Sequence, residues 1–320
     1  MNSRGAEGMA MKRFKSILVT VTVTSEGGAG LLARAADLAV ANGARLTVVD
    51  VAERLPAKFT TAMAREELQS ALVASRTAEL EALVEPIRGK LKPGVKVLVG
   101  IPFVEIIREV LRERHDLVMR VPEHRRAAPL FGSTDMHLMR KCPCAVWMIK
   151  PMRRKRFTRI LAAVDPDPSE SVKQGLNAKI LELASSLAQR EEGELHLVYA
   201  WAFYGESVLI GPRVGMSREE VDRWVMETEA EQRKELAELT EQHVPAGLRP
   251  RLHLVRGEAR DVIPHVAAKN KVDLIVMGTV ARTGIPGFFI GNTAEAVLQH
   301  VRCSVLTVKP KGFATPVKLE

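Results

Sequence analysis

Short runs rich in Val, Ile and Leu alternate along this chain with longer stretches in which apolar residues recur at helical spacing. The first half reads as strand Ser16–Val23, helix Leu31–Asn42, strand Arg45–Val51, long helix Ala64–Lys90, strand Val95–Val99, helix Phe103–Arg114, strand Asp116–Arg120, a short helix after Gly132, and strand Ala145–Ile149. Within the third helix Val104, Ile107 and Leu111 fall on one face at i, i+3 and i+7. The second half repeats this order. Its strands are Ile160–Val164, Glu194–Ala200, Arg251–Val255, Asp273–Met277 and Ser304–Val308, with helices at Val172–Arg190, Ser217–His243, Arg260–Lys269 and Thr293–His300. Strands separated by helices in this way predict parallel sheets covered by helices on both faces.

The repetition extends to individual residues. Gly132-Ser133-Thr134 stands 159 positions before Gly291-Asn292-Thr293, and the same offset carries Cys144 onto Cys303 and Lys150-Pro151 onto Lys309-Pro310. With slight slippage, Phe14-Lys-Ser-Ile-Leu matches Phe157-Thr-Arg-Ile-Leu, and His115-Asp-Leu-Val-Met matches Val272-Asp-Leu-Ile-Val-Met. The chain therefore divides into a tail over 1–13, a first domain over 14–151, a basic linker over 152–156, a second domain over 157–310 and a C-terminal tail over 311–320. Two domains also suit the length of 320 residues.

Composition narrows the function classes. Apolar residues at 46% and charged residues at 27% are ordinary for a globular protein, and no apolar run is long enough to span a bilayer. Met1–Lys12 lacks the apolar core of a signal peptide, so a cytoplasmic location is expected. Three cysteines, Cys142, Cys144 and Cys303, do not make a secreted disulfide framework. Cys142-Pro143-Cys144 lacks C-x-x-C spacing, and Cys144 and Cys303, at equivalent positions before the last strands, read as buried apolar residues. The net charge of +9 concentrates in Lys150–Arg159, between the repeats. With only two Tyr and three Trp in the chain an aromatic platform for bases is poorly supported, so this run reads as a solvated linker and nucleic acid is not the expected partner. His115, His124 and His137 lack metal-ligand spacing, and no metal is expected.

In doubly wound sheets, ligands bind beyond the carboxyl ends of the strands where strand order reverses. In the second repeat this singles out the loop Val164-Asp165-Pro166-Asp167-Pro168-Ser169 and the loop running from Met277-Gly278 to Gly291-Asn292-Thr293. The latter ends at a helix N-terminus, where Asn292 is expected to cap and Glu295 to reach back, leaving N–H groups for an anion. Gly278 and Gly291 would allow a ligand close to the backbone. A glycine-rich turn that only reverses the chain explains the same residues.

The residues of this loop and the tandem layout, from about Phe14 to Pro310, resemble the universal stress proteins, most closely the E-type branch with two domains per chain. Nucleotide-binding members of that family share Gly, two residues, Gly, nine residues, then Gly followed by Ser or Thr. Here the pattern reads Gly278-Thr-Val-Ala281, nine residues, Gly291-Asn292-Thr293, so Ala281 replaces the middle glycine and Asn292 the hydroxyl residue, with Thr293 one position later. The resemblance implies two tandem doubly wound α/β domains, each a five-stranded parallel sheet in the order 3-2-1-4-5. It also implies a stress-response protein that binds ATP or another adenine nucleotide in the second domain, as a sensor or regulatory module. Val164, Asp165, Met277, Gly278, Ala281, Gly291, Asn292 and Thr293 would form that site, with Asp165 facing the sugar and base. Slow ATP hydrolysis is the most chemistry expected, and no residue is assigned a catalytic role. The first repeat has Val121 in place of Gly278 and Thr22 in place of Asp165, so it reads as a supporting copy.

Other readings remain open at this level. The cleft can hold a different, apolar ligand, or none, in a protein that works by binding protein partners; a nucleic-acid-associated factor is the third reading. Asp165-Pro-Asp167 resembles a phosphatase carboxylate pair, but Gly278-Thr-Val-Ala supplies no further carboxylate for magnesium. Gly27-Gly28-Ala29-Gly30 lacks G-x-G-x-x-G spacing and reads as a strand-to-helix turn. The last strands, Ala145–Ile149 and Ser304–Val308, would lie on sheet edges, and they are expected to pack together as an intramolecular pseudo-dimer that leaves the chain able to exist as a monomer.

Overall fold

The structure is a computed structural model that describes residues 14–22, 27–56, 62–123, 131–151, 156–166, 171–203, 205–210, 214–279 and 291–319. They form two compact bodies, one running through Val121 and including the C-terminal segment from Val317, the other spanning Pro122–Pro316.

The first body holds β1 (Ser16–Thr20), α1 (Gly28–Asn42), β2 (Arg45–Ala52), α2 (Ala62–Val84), β3 (Gly94–Val99), α3 (Pro102–Glu113) and β4 (Leu117–Arg120). Its parallel strands lie in the order β3-β2-β1-β4. Every residue of β1 and β4 is buried, whereas β3 is only half-buried. α2 stops earlier than its pattern suggests and gives way to a 3-10 turn at Glu85–Ile87, where Pro86 has no N–H to continue the α-helical ladder. Gly27, at φ +99°, turns the chain from strand to helix in a conformation that an L side chain rarely adopts. The C-terminal tail docks here as well, with Arg108 Nε donating to the Lys318 carbonyl at 3.2 Å.

The second body begins with the last elements of the first repeat, α4 (Ser133–Lys141) and β5 (Ala145–Met148). It continues with β6 (Arg159–Ala163), α5 (Ser171–Glu191), β7 (Glu194–Trp201), a short α6 (Glu206–Ile210) that the sequence pattern does not announce, α7 (Arg218–His243), β8 (Arg251–Arg256), α8 (Ala259–Lys269), β9 (Leu274–Gly278), α9 (Asn292–His300) and β10 (Ser304–Val308). Strand order is β5-β10-β9-β6-β7-β8, so the second repeat alone reads 3-2-1-4-5 as expected. Its five strands are parallel, and β5 joins them antiparallel.

The β5–β10 seam is where the last strands meet. Trp147 pairs with Leu306, its equivalent at the 159-residue offset, while Val146 pairs with Thr307 and Met148 with Val305. The pairing is therefore centred on a local twofold between the repeats. Two buried lysines cross it. Lys309, just past β10, donates to the Met139 carbonyl at 2.6 Å and the Arg140 carbonyl at 3.1 Å in the last turn of α4. Lys150, its repeat equivalent, donates to the Val301 carbonyl at 2.9 Å, at the C-cap of α9. Each ammonium so satisfies carbonyls that a helix C-terminus leaves without intrahelical partners, and sits at the negative end of its dipole. Trp147 and Phe157 pack against each other behind the seam, ring centroids 5.6 Å apart.

The repeated Asp-Leu pair also has a role in each body. Asp116 accepts from the backbone N–H groups of Lys15 at 2.7 Å and Ser16 at 3.1 Å, fixing the start of β1 against β4. Asp273 accepts from Thr158 N and Oγ1 and from Arg159 N, at 2.8, 2.7 and 3.0 Å, and does the same for β6 and β9.

Two predictions follow from these contacts. Asp273→Ala leaves three donors at the head of β6 without their acceptor and is expected to lower stability by about 1 to 3 kcal/mol, read as a fall in the urea midpoint; an unchanged midpoint would contradict the role. Lys309 is pushed down to about 7, by burial first, with Cys142 and Cys144 opposing the shift. Because its folded value lies below the unfolded one of about 10.4, the unfolded chain binds more protons between these values and stability should rise with pH across that window. Subtracting the pH–stability curve of Lys309→Met from that of the parent should isolate this rise, and a flat difference between about pH 7 and 10.4 would contradict it.

Candidate functional site

The carboxyl ends of β6 and β9 are neighbours in the sheet, and chain direction diverges there: from β6 the strands progress to β7 and β8, while β9 leads the other way to β10. This is the switch point at which a doubly wound sheet opens a crevice. The β6–β9 register pairs Ala163 with Met277, which brings the next residues, Val164 and Gly278, level at the mouth. Val164 and Met277 are both buried at these strand ends.

Asp165 follows Val164 and is fixed by α5. Its N–H donates to Asn177 Oδ1 at 3.1 Å, and Asn177 Nδ2 donates back to the Asp165 carbonyl at 2.7 Å. The carboxylate is 41% exposed, and the Lys173 ammonium stands 3.4 Å from Oδ2. An amide anchors the backbone on both sides, and the carboxylate pairs with Lys173 at the rim. Asn177 was the missed signal: it is a buried polar residue on the stripe of α5 that continues through Ile180, Leu181 and Ala184. An unforced Asn on an apolar helical face needs a partner, and here that partner is the strand end.

Gly278 ends β9 beside the same helix. A Cβ built there would lie 2.7 Å from Leu176 Cδ2, so a side chain at this position must first displace that leucine on α5. Thr279 is buried and bound on three sides: Oγ1 donates to the Met139 carbonyl at 3.2 Å, Lys309 donates to Oγ1, and its carbonyl accepts from Gly291 N at 3.2 Å. The last contact ties the start of α9 to the end of β9. Residues 280–290 intervene, so Ala281 lies outside the described residues.

The helix start differs from the sequence expectation. Gly291 is the N-cap, without a side-chain cap, and Asn292 and Thr293 are the exposed first residues of α9. The predicted Asn292–Glu295 capping box does not form, because Glu295 turns instead to an ion pair with Arg140 of α4. The outcome is a helix N-terminus whose first N–H groups have no intrahelical acceptor and no capping side chain.

In the first repeat the equivalent position is filled. Asp135 of α4 is fully buried, and its Oδ2 accepts from the N–H groups of Gly132 at 2.8 Å and Glu123 at 2.9 Å. A side-chain carboxylate thus occupies the place an anion would take at that helix start. At the 159-residue offset Asp135 becomes Ala294, which has no such group. In the other body, at the end of β4, Arg120 is buried and donates to Thr20 Oγ1 at 3.3 Å, whereas Met277 stands at the matching point of the second repeat.

The remaining candidates carry less. His115 is buried against Ser16 Oγ, with Nδ1 2.8 Å away, and among the described residues no cluster of His, Cys, Asp and Glu is arranged to hold a metal ion. His124 lies outside the described residues. Cys144 and Cys303 lie in the turns before their strands and are only partly buried as residues, although the Cys303 thiol itself is enclosed. No helix among the described residues is long and apolar enough to cross a membrane.

Comparison with known proteins places this architecture. The model of the Universal stress protein family matches residues 13–150 and again 156–309. Universal stress protein E of Escherichia coli strain K12 is 32% identical over 275 residues, covering 82% of this chain and 84% of the relative. Universal stress protein E of Photorhabdus laumondii is 28% identical over 322 residues, 96% of this chain and 99% of its own length. The crystal structure of a putative universal stress protein from Pseudomonas aeruginosa UCBPP-PA14 superposes with a TM-score of 0.70 at 26% identity, covering 95% of this chain and 96% of that one. With two matched domains, a doubly wound fold in each and relatives aligned across both, the chain belongs to the universal stress protein family.

Proposed function

We propose that the second domain binds an adenine nucleotide and that the protein acts in the cytoplasm as a nucleotide-dependent sensor or regulator of the stress response. The observation that carries this reading is the difference between the two helix starts. α9 opens with exposed Asn292 and Thr293 beside a strand-end crevice, while the matching start of α4 is closed by its own Asp135 carboxylate.

In this reading the phosphates meet the first-turn N–H groups at Gly291, Asn292 and Thr293, where the helix dipole favours negative charge. The Asp165 carboxylate accepts from the sugar or base, held at a fixed height by Asn177, and Val164 and Met277 supply the apolar wall. Lys173, beside Asp165, adds a positive charge at the rim. In the sequence Ala281 stands at the family's middle glycine position. Binding and release, with at most slow hydrolysis, are the activity proposed.

Calorimetric titration of ATP into the parent and three variants tests this. Asp165→Ala should weaken binding by about 1.5 to 3 kcal/mol, the range for a lost hydrogen bond to a charged group. Gly278→Val should abolish it. Since the new Cβ meets Leu176 first, Gly278→Val combined with Leu176→Ala separates the causes: binding should remain lost if the valine itself blocks the ligand. Unchanged affinity in Asp165→Ala and Gly278→Val would overturn the site.

A further inference from the structure

The turn Cys142-Pro143-Cys144 joins α4 to β5 and takes no part in the nucleotide reading. Cys142 is the C-cap residue of α4, its N–H donating to the Leu138 carbonyl at 2.9 Å while its ψ of 131° turns the chain to extended. Pro143 fixes the next φ, and Cys144 immediately precedes β5. This path sets the two sulfur atoms 3.4 Å apart, in direct contact. Cys142 is buried and Cys144 half-exposed, so one thiol is reachable from solvent and the other waits behind it.

The surroundings favour thiolate chemistry at this pair. The Lys309 ammonium holds the carbonyls of Met139 and Arg140, immediately before the turn, and its charge and the two sulfurs act on each other. Burial pushes the Cys142 thiol up, but the hydrogen bond with Cys144 and the Lys309 charge more than offset it, and the net shift is downward. Cys303 supplies an internal contrast. It is the repeat equivalent of Cys144, but Val301 stands where Cys142 would be, and burial pushes the lone thiol up to about 12. The dithiol is built only at the first repeat's copy of this turn.

We propose that Cys142 and Cys144 form a two-electron redox couple that a hydroperoxide closes to an intramolecular disulfide. In the first step Cys144 passes its proton to the neighbouring Cys142 sulfur and attacks one peroxide oxygen as the thiolate: the S–O bond forms, the O–O bond breaks, and the departing hydroxide takes up that proton as water. In the second, the Cys142 thiolate attacks the Cys144 sulfenic sulfur: the S–S bond forms, the S–O bond breaks, and hydroxide leaves as a second water with the Cys142 proton. The two thiols lose two protons and two electrons, and the peroxide is reduced to water. A small thiol reverses the change by exchange at the exposed Cys144 sulfur.

Hydrogen peroxide added to the fully reduced, full-length protein tests the couple, with free thiols alkylated afterwards under denaturing conditions and the peptides weighed. The expected result is that two of the three thiols escape alkylation, that the peptide beginning at Cys142 is lighter by two hydrogens and carries no label, that Cys303 is alkylated, and that dithiothreitol restores all three. Cys303→Ser should oxidise as the parent does, while Cys142→Ser should leave Cys144 to progress to sulfinic acid without closing a ring. Sulfinic acid at Cys144 in the parent without loss of two hydrogens, disulfide-linked dimers through Cys144, or full alkylation of all three cysteines after peroxide would each overturn the proposal.

Discussion

The antiparallel contact between β5 and β10 governs the second body. A five-stranded parallel sheet ending at β10 would leave the backbone groups of that strand's outer edge unpaired, and pairing with β5 removes the edge. Because Trp147 and Leu306 are equivalent residues that face each other, one short sequence pattern serves both sides of the seam. The same economy applies to the lysines: Lys150 and Lys309 each close the C-terminus of a helix belonging to the other repeat. Burial holds both ammonium groups below their ordinary range, the sign of an energetic cost. Their hydrogen bonds to helix-end carbonyls are the compensation.

The candidate site depends on that seam through Lys309. By donating to Thr279 Oγ1 and to the end of α4 together, Lys309 fixes the residue directly after Gly278, and the Thr279 carbonyl in turn holds Gly291. The start of α9 is thereby held against the strand mouth from the seam side. From the opposite side α5 does the same for Asp165 through Asn177. A crevice clamped from both flanks at fixed backbone heights suits recognition of a ligand by backbone N–H groups, where a small misplacement loses the contact.

Much of this was legible in the sequence. The 159-residue offset marked the two copies, the alternation of strands and helices implied parallel sheets, the family resemblance implied the strand order found in the second repeat, and the apolar last strands implied the seam. What escaped were side-chain choices with more than one partner available. Glu295 stands at the spacing of a capping box, but Arg140, 155 residues away in sequence, offers a charge-assisted partner, and a long-range ion pair displaced the local cap. Asn177 and Leu176 act on β6 and β9 from a helix whose rotation about its axis no local pattern fixes beyond its apolar stripe. The asymmetry at the helix starts was written in the repeat alignment all along, as Asp135 against Ala294, but it needs the hydrogen bonds from Gly132 and Glu123 to be read as a filled anion position.

The account makes the two domains unequal: one closed by its own carboxylate, one open. Photolabelling the full-length protein with an azido-adenine nucleotide, followed by peptide mapping, tests this most directly. Label that unlabelled ATP competes away should appear on the peptides carrying Val164–Asp165 and Met277–Thr279 and not on those carrying Thr20–Thr22 or Arg120–Glu123. Competed label on the first repeat, or no competed label on the second, would contradict it.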